Sequence, residues 1–227
     1  MKNEHLEPDR MRAELLDAIV PHVPFDGWSE PAFRAAVEDT GLDRALAAVI
    51  CPRGAVDLAV AYHRAGDRAM LDALGATDLG GMKFRDKVAT AVRLRLEPAD
   101  RELVRRGMAL FALPQHAGVG AGLVWGTVDA IWTALGDESR DYNWYSKRLT
   151  LSGVYSATVL FWIGDDSAGH ADTWDFLDRR IADVMQFERI KGQVLRLPGL
   201  GAILGKVRAP SPQGDLPGAL SGKEHAQ

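Results

Sequence analysis

The chain has 227 residues, 47% of them apolar and 26% charged. That composition belongs to an ordinary soluble, folded protein and excludes wholesale disorder. No run of about 18 uninterrupted apolar residues occurs, which excludes a spanning helix. A lone Cys51 cannot close an internal disulfide, and one thiol with six scattered His is a poor basis for structural zinc. The opening residues, Met1 to His5, lead into charge rather than an apolar stretch, so no secretory signal is read there. Net charge is −4 but uneven: residues 1–77 hold 8 Lys/Arg against 13 Asp/Glu. Residues 189–208 hold Arg189, Lys191, Arg196, Lys206 and Arg208 and no acid. The first segment repels polyanions; the second attracts them, or an anionic membrane surface.

Nearly every stretch has helical periodicity. Met11, Leu15, Leu16 and Ile19 share a face and predict a helix over about 9–20, stopped by Pro21 and Pro24. Ser29 caps a second helix with Phe33, Ala36 and Val37 inward, closed by Gly41. Asp43 caps a short third carrying Leu46, Val49 and Ile50, broken at Cys51-Pro52-Arg53-Gly54. A long helix over about 55–74 buries Val56, Val60, Met70, Leu71 and Leu74. The next runs over about 80–96 with Phe84, Val88, Ala91 and Val92, and ends at Glu97-Pro98. Asp100 opens another, with Leu103, Met108 and Phe111 as core, which breaks at Leu113 to His116. Helix 117–135 carries Leu123, Val124, Val128, Ile131 and Trp132. Helix 142–163 carries Tyr145, Leu149, Tyr155, Val159 and Trp162. Asp172 is placed as the cap of a helix over 173–190 with Trp174, Leu177, Ile181, Val184 and Met185.

Nine helices and a possible tenth make an all-α protein. The layout resembles the TetR family: a helix-turn-helix unit with its linking helix over 1–75, then a helical bundle with an apolar pocket over 76–190. An amphipathic, membrane-associating helix over 191–208 and a Pro/Gly/Ser-rich flexible tail over 209–227 are expected to follow. The third helix is poorly equipped to read bases, because Arg44 is its one useful donor and Arg53 the one basic candidate after it. A net-acidic unit also works against phosphate neutralisation. A packing remnant without nucleic-acid binding is therefore expected, with a regulator sensing an apolar ligand as the alternative.

Five of the six Trp fall between 125 and 174, and helix 117–135 contains Gly118, Gly120, Gly122 and Gly126. Each interior glycine costs a helix about 1 kcal/mol relative to alanine. Close approach of another body would offset that, either a neighbouring helix or an elongated apolar ligand.

Leu113-Pro114, Trp132, Gly136-Asp137-Glu138-Ser139, Asp141-Tyr142-Asn143-Trp144-Tyr145-Ser146-Lys147-Arg148, Tyr155 and Asp172-Thr173-Trp174-Asp175-Phe176-Leu177-Asp178-Arg179-Arg180 together resemble the C-terminal domain of the Coq-nine family. These are accessory proteins of ubiquinone biosynthesis. The resemblance implies a TetR-like fold without DNA binding, an isoprenoid lipid or ubiquinone intermediate held in the bundle, a homodimer, and docking on the demethoxyubiquinone hydroxylase. It implies no catalysis and no cofactor. Its partner-facing patch matches Asp141, Trp144, Tyr145 and Arg148. On one helix the adjacent Trp144 and Tyr145 cannot share a face, so at least one is expected near the surface. The expected lipid-binding residues are Leu113, Leu123, Val128, Trp132, Tyr155, Val159, Trp162 and Trp174. Leu200, Ile203, Leu204 and Val207 fall at i, i+3, i+4 and i+7, an apolar stripe suited to a membrane interface and used so in the family. The family's eukaryotic members carry a transit peptide that is not read here, so a bacterial cytoplasmic protein, peripheral on the inner membrane, is expected.

Enzymatic motifs are scarce. Glu-x-x-His, Gly-rich phosphate loops and Gly-x-Ser-x-Gly do not occur. His116 reads as a loop or cap residue, and Asp165-Asp166 as a solvated turn rather than an acid/base pair.

Overall fold

A computed structural model describes residues 6–137 and 142–194, with ten α-helices and no strand among them. They are α1 (Leu6–Ile19), α2 (Val23–Asp26), α3 (Glu30–Thr40), α4 (Arg44–Ile50), α5 (Ala55–Ala76), α6 (Phe84–Leu96), α7 (Arg101–Phe111), α8 (Ala117–Ala134), α9 (Tyr142–Ile163) and α10 (Ala171–Val194). The expected boundaries follow from local chemistry. Ser29 Oγ accepts the Ala32 N–H, Asp43 accepts from Ala45 and Leu46, and Asp100 accepts from Glu102 and Leu103. Gly41 closes α3 at φ 67°, a left-handed conformation in which a side chain would be strained. The unpredicted helix is α2: Pro24 lies in its first turn, where a missing N–H loses nothing, so the proline starts a turn of helix instead of only stopping α1.

Two apolar cores form. The smaller gathers Leu15, Ile19, Phe33, Val37, Ile50 and Leu58 with Trp28 and, from α7, Leu103. The larger gathers Met70, Val92, Val128, Ile131, Trp162 and Leu177 among others. Helix α5 enters both, with Leu58 and Ala59 in one and Met70 and Leu74 in the other. That ties the helix-turn-helix unit to the bundle through one continuous helix.

Several expected core positions are corrected. Val49 is 75% exposed and Leu46 is also exposed, because on the two turns of α4 the inward face is taken by Ala47 and Ile50. Phe84, at the first turn of α6, is partly exposed but stacks on Trp132 with centroids 5.2 Å apart. Leu149 on α9 is exposed.

The start of α10 also differs from expectation. Asp172 lies inside the helix, and its N–H donates to Ser167 Oγ at 3.1 Å. Asp165 is buried rather than a solvated turn: it accepts from Ser167 N–H at 2.8 Å, Thr173 N–H at 2.9 Å and the Thr173 hydroxyl at 2.5 Å. Hydrogen bonds from Ser167 and then Thr173 hold its carboxyl far below the usual carboxylate range. A depressed folded pKa contributes stability that is complete above the unfolded value, about 3.9, and is lost as pH falls through the folded one. Asp165→Asn should therefore melt below the wild type at pH 7, with the gap closing below about pH 4. Thermal unfolding across pH 2–7 checks this; a gap independent of pH would remove the charged carboxylate from the account.

Candidate functional site: an apolar cavity between the two cores

The two cores do not close completely against each other. A cavity of about 300 Å³ lies between α5, α6, α7, α8 and α9, with Trp28 of the helix-turn-helix unit on its wall. Its lining is mostly apolar, with Leu103, Met108, Phe111, Leu123 and Val159 among its walls. The size lies at the lower end of small-molecule sites, about 300–1,000 Å³. Gly107 and Gly120 both line the cavity. A Cβ on Gly120 would lie 2.7 Å from Phe111 Cβ, so the end of α7 can pack this closely on α8 only at a glycine. Close approach thus accounts for one of the four α8 glycines. Gly118, Gly122 and Gly126 face open space, with nothing within 4 Å of an added Cβ, which corrects the expectation for those three.

A polar network backs one wall. Arg95, only 4% exposed, donates through Nε to Asp67 at 2.7 Å and through Nη2 to the His63 carbonyl at 3.1 Å. Thr127 donates to Asp67 at 2.9 Å, and His63 Nε2 lies 2.8 Å from the Thr127 hydroxyl. A Cβ on Gly66 would approach the Arg95 guanidinium to 2.7 Å, so the arginine lies against bare backbone. Burial pushes the His63 pKa down and favours a neutral imidazole at pH 7. Burial likewise pushes the Tyr155 phenol up, so it stays a protonated donor.

Of the expected lipid-binding residues, the structure brings Leu123, Tyr155 and Val159 together on the cavity. Val128, Trp162 and Trp174 lie in the solid larger core instead. Trp132 is half-buried under Phe84, with Lys147 Nζ 5.2 Å from its ring centroid. Leu113 is partly exposed in the turn before α8. Helical periodicity identifies an inward face, but the inward face of α8 meets the cavity at its first turns and the packed core further on. Sequence reasoning missed Trp28, Tyr62, His63 and Arg95; the last three are polar residues on α5 and α6 among apolar core positions, while Trp28, between α2 and α3, gave no such signal.

The second candidate site is aromatic. Trp144 and Tyr145 are both half-buried, their rings in edge contact at 4.8 Å, and Trp125 of α8 lies 5.8 Å from Trp144. Arg148 is corrected: it is not an outward partner contact but 2% exposed. It pairs with Asp129 at 2.6 Å and Asp137 at 3.0 Å, donates to the Trp144 carbonyl at 3.2 Å, and sits 4.0 Å from the Trp144 ring centroid. It therefore holds Trp144 from beneath. Asp141, Leu200, Ile203, Leu204 and Val207 lie outside the described residues. His116 precedes α8 without a side-chain cap bond. No group of three or more His, Cys, Asp or Glu that could hold a metal occurs among the described residues.

In the helix-turn-helix unit, Arg44 is spent on Glu38 at 2.9 Å and Arg53 on Asp57 at 2.7 Å. Both cations proposed for DNA are thus already matched by acids.

Residues 117–188 match the COQ9 family model. The resemblance to the Coq-nine family is borne out, and it extends well beyond that segment. The chain is 32% identical over 191 residues to the ubiquinone biosynthesis protein COQ9, mitochondrial, of Drosophila melanogaster, spanning 82% of this chain and 58% of that protein. Identity to the rat COQ9 protein is 29%, over 85% of this chain and 64% of the relative, and to the human protein 27%, over 85% and 63%. The COQ9-like chain thus spans about three-fifths of the length of these relatives. Among solved structures, a TetR transcriptional regulator from Nitrosomonas europaea superposes with a TM-score of 0.61 at 18% identity, covering 76% of this chain and 96% of that one. The TetR-like fold is thereby established; at that identity the likeness concerns fold alone. The bacterial, inner-membrane expectation is corrected: the fly, rat and human relatives are all named mitochondrial proteins. That expectation rested on the character of the first few residues, which is no guide to location in a chain shorter than its relatives.

Proposed function

We propose that this COQ9-like chain is a non-catalytic accessory protein of ubiquinone biosynthesis that binds an isoprenoid lipid or ubiquinone intermediate and presents it to the demethoxyubiquinone hydroxylase. The observation that carries the reading is the apolar cavity between the two cores, in a chain similar to proteins named for ubiquinone biosynthesis. A volume of about 300 Å³ accommodates only part of a long polyprenyl lipid, so the remainder must lie outside, where a partner or a bilayer can receive it. Among the described residues no single helix is long and apolar enough to cross a membrane. Protein purified gently should carry co-extracted prenyl lipid in native mass spectrometry. Spectra free of lipid, with no uptake from added quinone, would overturn the cavity's assignment.

The Trp144–Tyr145 pair is the proposed hydroxylase contact. Large rings that are half-buried and pre-ordered bury much area at little entropic expense on docking. Trp144→Ala should weaken binding to the purified hydroxylase by roughly 2 kcal/mol, about thirtyfold. Its melting temperature should fall by only a few degrees, because the ring is half open to solvent. Calorimetric titration against the hydroxylase checks this; unchanged affinity would remove the patch from the interface. Nothing observed favours the regulator reading, since Arg44 and Arg53 are already paired.

A further inference from the structure

Most polar side chains lining the cavity have a partner. Trp28 Nε1 donates to the Leu103 carbonyl at 3.2 Å, and Tyr62 Oη accepts the Asp100 N–H at 3.4 Å. His63 meets Thr127, and Arg95 uses Nε on Asp67 and Nη2 on the His63 carbonyl. Tyr155 does not follow the pattern. It is 4% exposed, lines the cavity, and its hydroxyl makes no hydrogen bond with any described residue. Arg95 Nη1, on the same lining, makes none either. Arg95 and His63 line the same cavity as Tyr155. A phenol hydroxyl without a protein partner on a mostly apolar cavity lining is open to a ligand oxygen. A cavity made for hydrocarbon alone would be served better by Phe at this position.

We propose that Tyr155, with Arg95 on the same cavity lining, anchors an oxygen of a quinone or phenol ring, so that the ligand enters this cavity ring first and its prenyl tail trails outward. This rests on the reading of the cavity as a lipid site and adds the ligand's polar class and its orientation. The ring's carbonyl or phenol oxygen accepts from the Tyr155 hydroxyl; Leu123, Val159 and Met108 cover the ring's apolar parts. The cavity's size suits a substituted ring with the first part of its tail better than a long chain coiled inside.

The test uses the full chain and two probes of similar carbon content: a dimethoxy-methyl-benzoquinone carrying a one-unit prenyl tail, and farnesene, a prenyl hydrocarbon without oxygen. Binding is read from quenching of Trp emission for the quinone, and for farnesene by competition with it and by native mass spectrometry. Wild type should bind the quinone at least tenfold more tightly than farnesene. Tyr155→Phe removes one oxygen that bonds nothing in the protein, so the fold should persist, as circular dichroism will verify. It should lose about tenfold in quinone affinity, as expected for one buried hydrogen bond, and retain farnesene affinity. Equal loss for both probes, or unchanged quinone affinity in Tyr155→Phe, would overturn the anchor while leaving a lipid site in place. Failure of the wild type to bind either probe would overturn the lipid site and the anchor together.

Discussion

Trp162→Ala should destabilise the chain by about 3–5 kcal/mol, the range for removing a large buried aromatic. Trp162 is 1% exposed and lies in the larger core beside residues from α6 and α10, including Val92 and Leu177. Its backbone carbonyl also receives Arg101 at 3.4 Å, so α9 is pinned at this point from both ends of the residue. Alanine would leave a void that close-packed neighbours refill only in part. The indole N–H adds a contrast, because it is buried with no hydrogen-bond partner. Trp162→Phe removes that unpaired donor along with some volume, so the two effects oppose each other and the net loss should stay below about 1.5 kcal/mol. Urea unfolding of the three proteins checks the ordering. Equal losses for Ala and Phe would mean the N–H is paired in solution.

Arg148→Ala should be the other severe change, at about 3 kcal/mol or more. Its side chain is 2% exposed and lies between Asp129 and Asp137, and Asp137 is itself 3% exposed. Removing the guanidinium takes one buried ion-pair partner from the Asp137 carboxylate, which keeps Lys147 at 2.7 Å. Losing one partner of a buried ion pair is more damaging than losing a surface pair. Lys at 148 should rescue little, because a single ammonium cannot serve two carboxylates, a carbonyl and the Trp144 ring face together. Arg148→Met combined with Asp137→Asn should recover part of the loss, since the buried charge is then absent. Denaturant titration of the single and double variants decides this. An additive double variant would show that the two groups do not act as a pair. The hydroxylase affinity of Arg148→Ala should fall as well, because Trp144 loses the guanidinium beneath it.

Legibility varied with how local the determinant is. The caps at Ser29, Asp43 and Asp100 were readable because an N-cap's donor and acceptor lie within three residues of each other. Pro24 was misread, since a proline near a break can either stop the preceding helix or occupy the first turn of the next. Asp165 was misread for a related reason: its role depends on Thr173, eight residues on and across a turn. Arg148 was misplaced because its neighbours in the motif are surface-prone, while its two carboxylates come from α8 and the turn after it, 19 and 11 residues away. For the lipid residues, periodicity separated inward from outward on α8 and α9. It could not say whether an inward side chain meets solid core, as Val128 and Trp162 do, or the cavity, as Leu123 and Val159 do.

What the chain's own order of residues determined is the helical architecture, most helix ends, and the likeness to the COQ9 family carried by the segment around Trp144 and Trp174. All of these follow from spacing and composition along one strand of chain. Only the packed molecule decided where the hollow lies, that Arg148 is interior, and that the Tyr155 hydroxyl is left without a partner. Those features depend on how five helices from two cores meet, and the gaps and desolvated charges that result are properties of the contact rather than of any one helix.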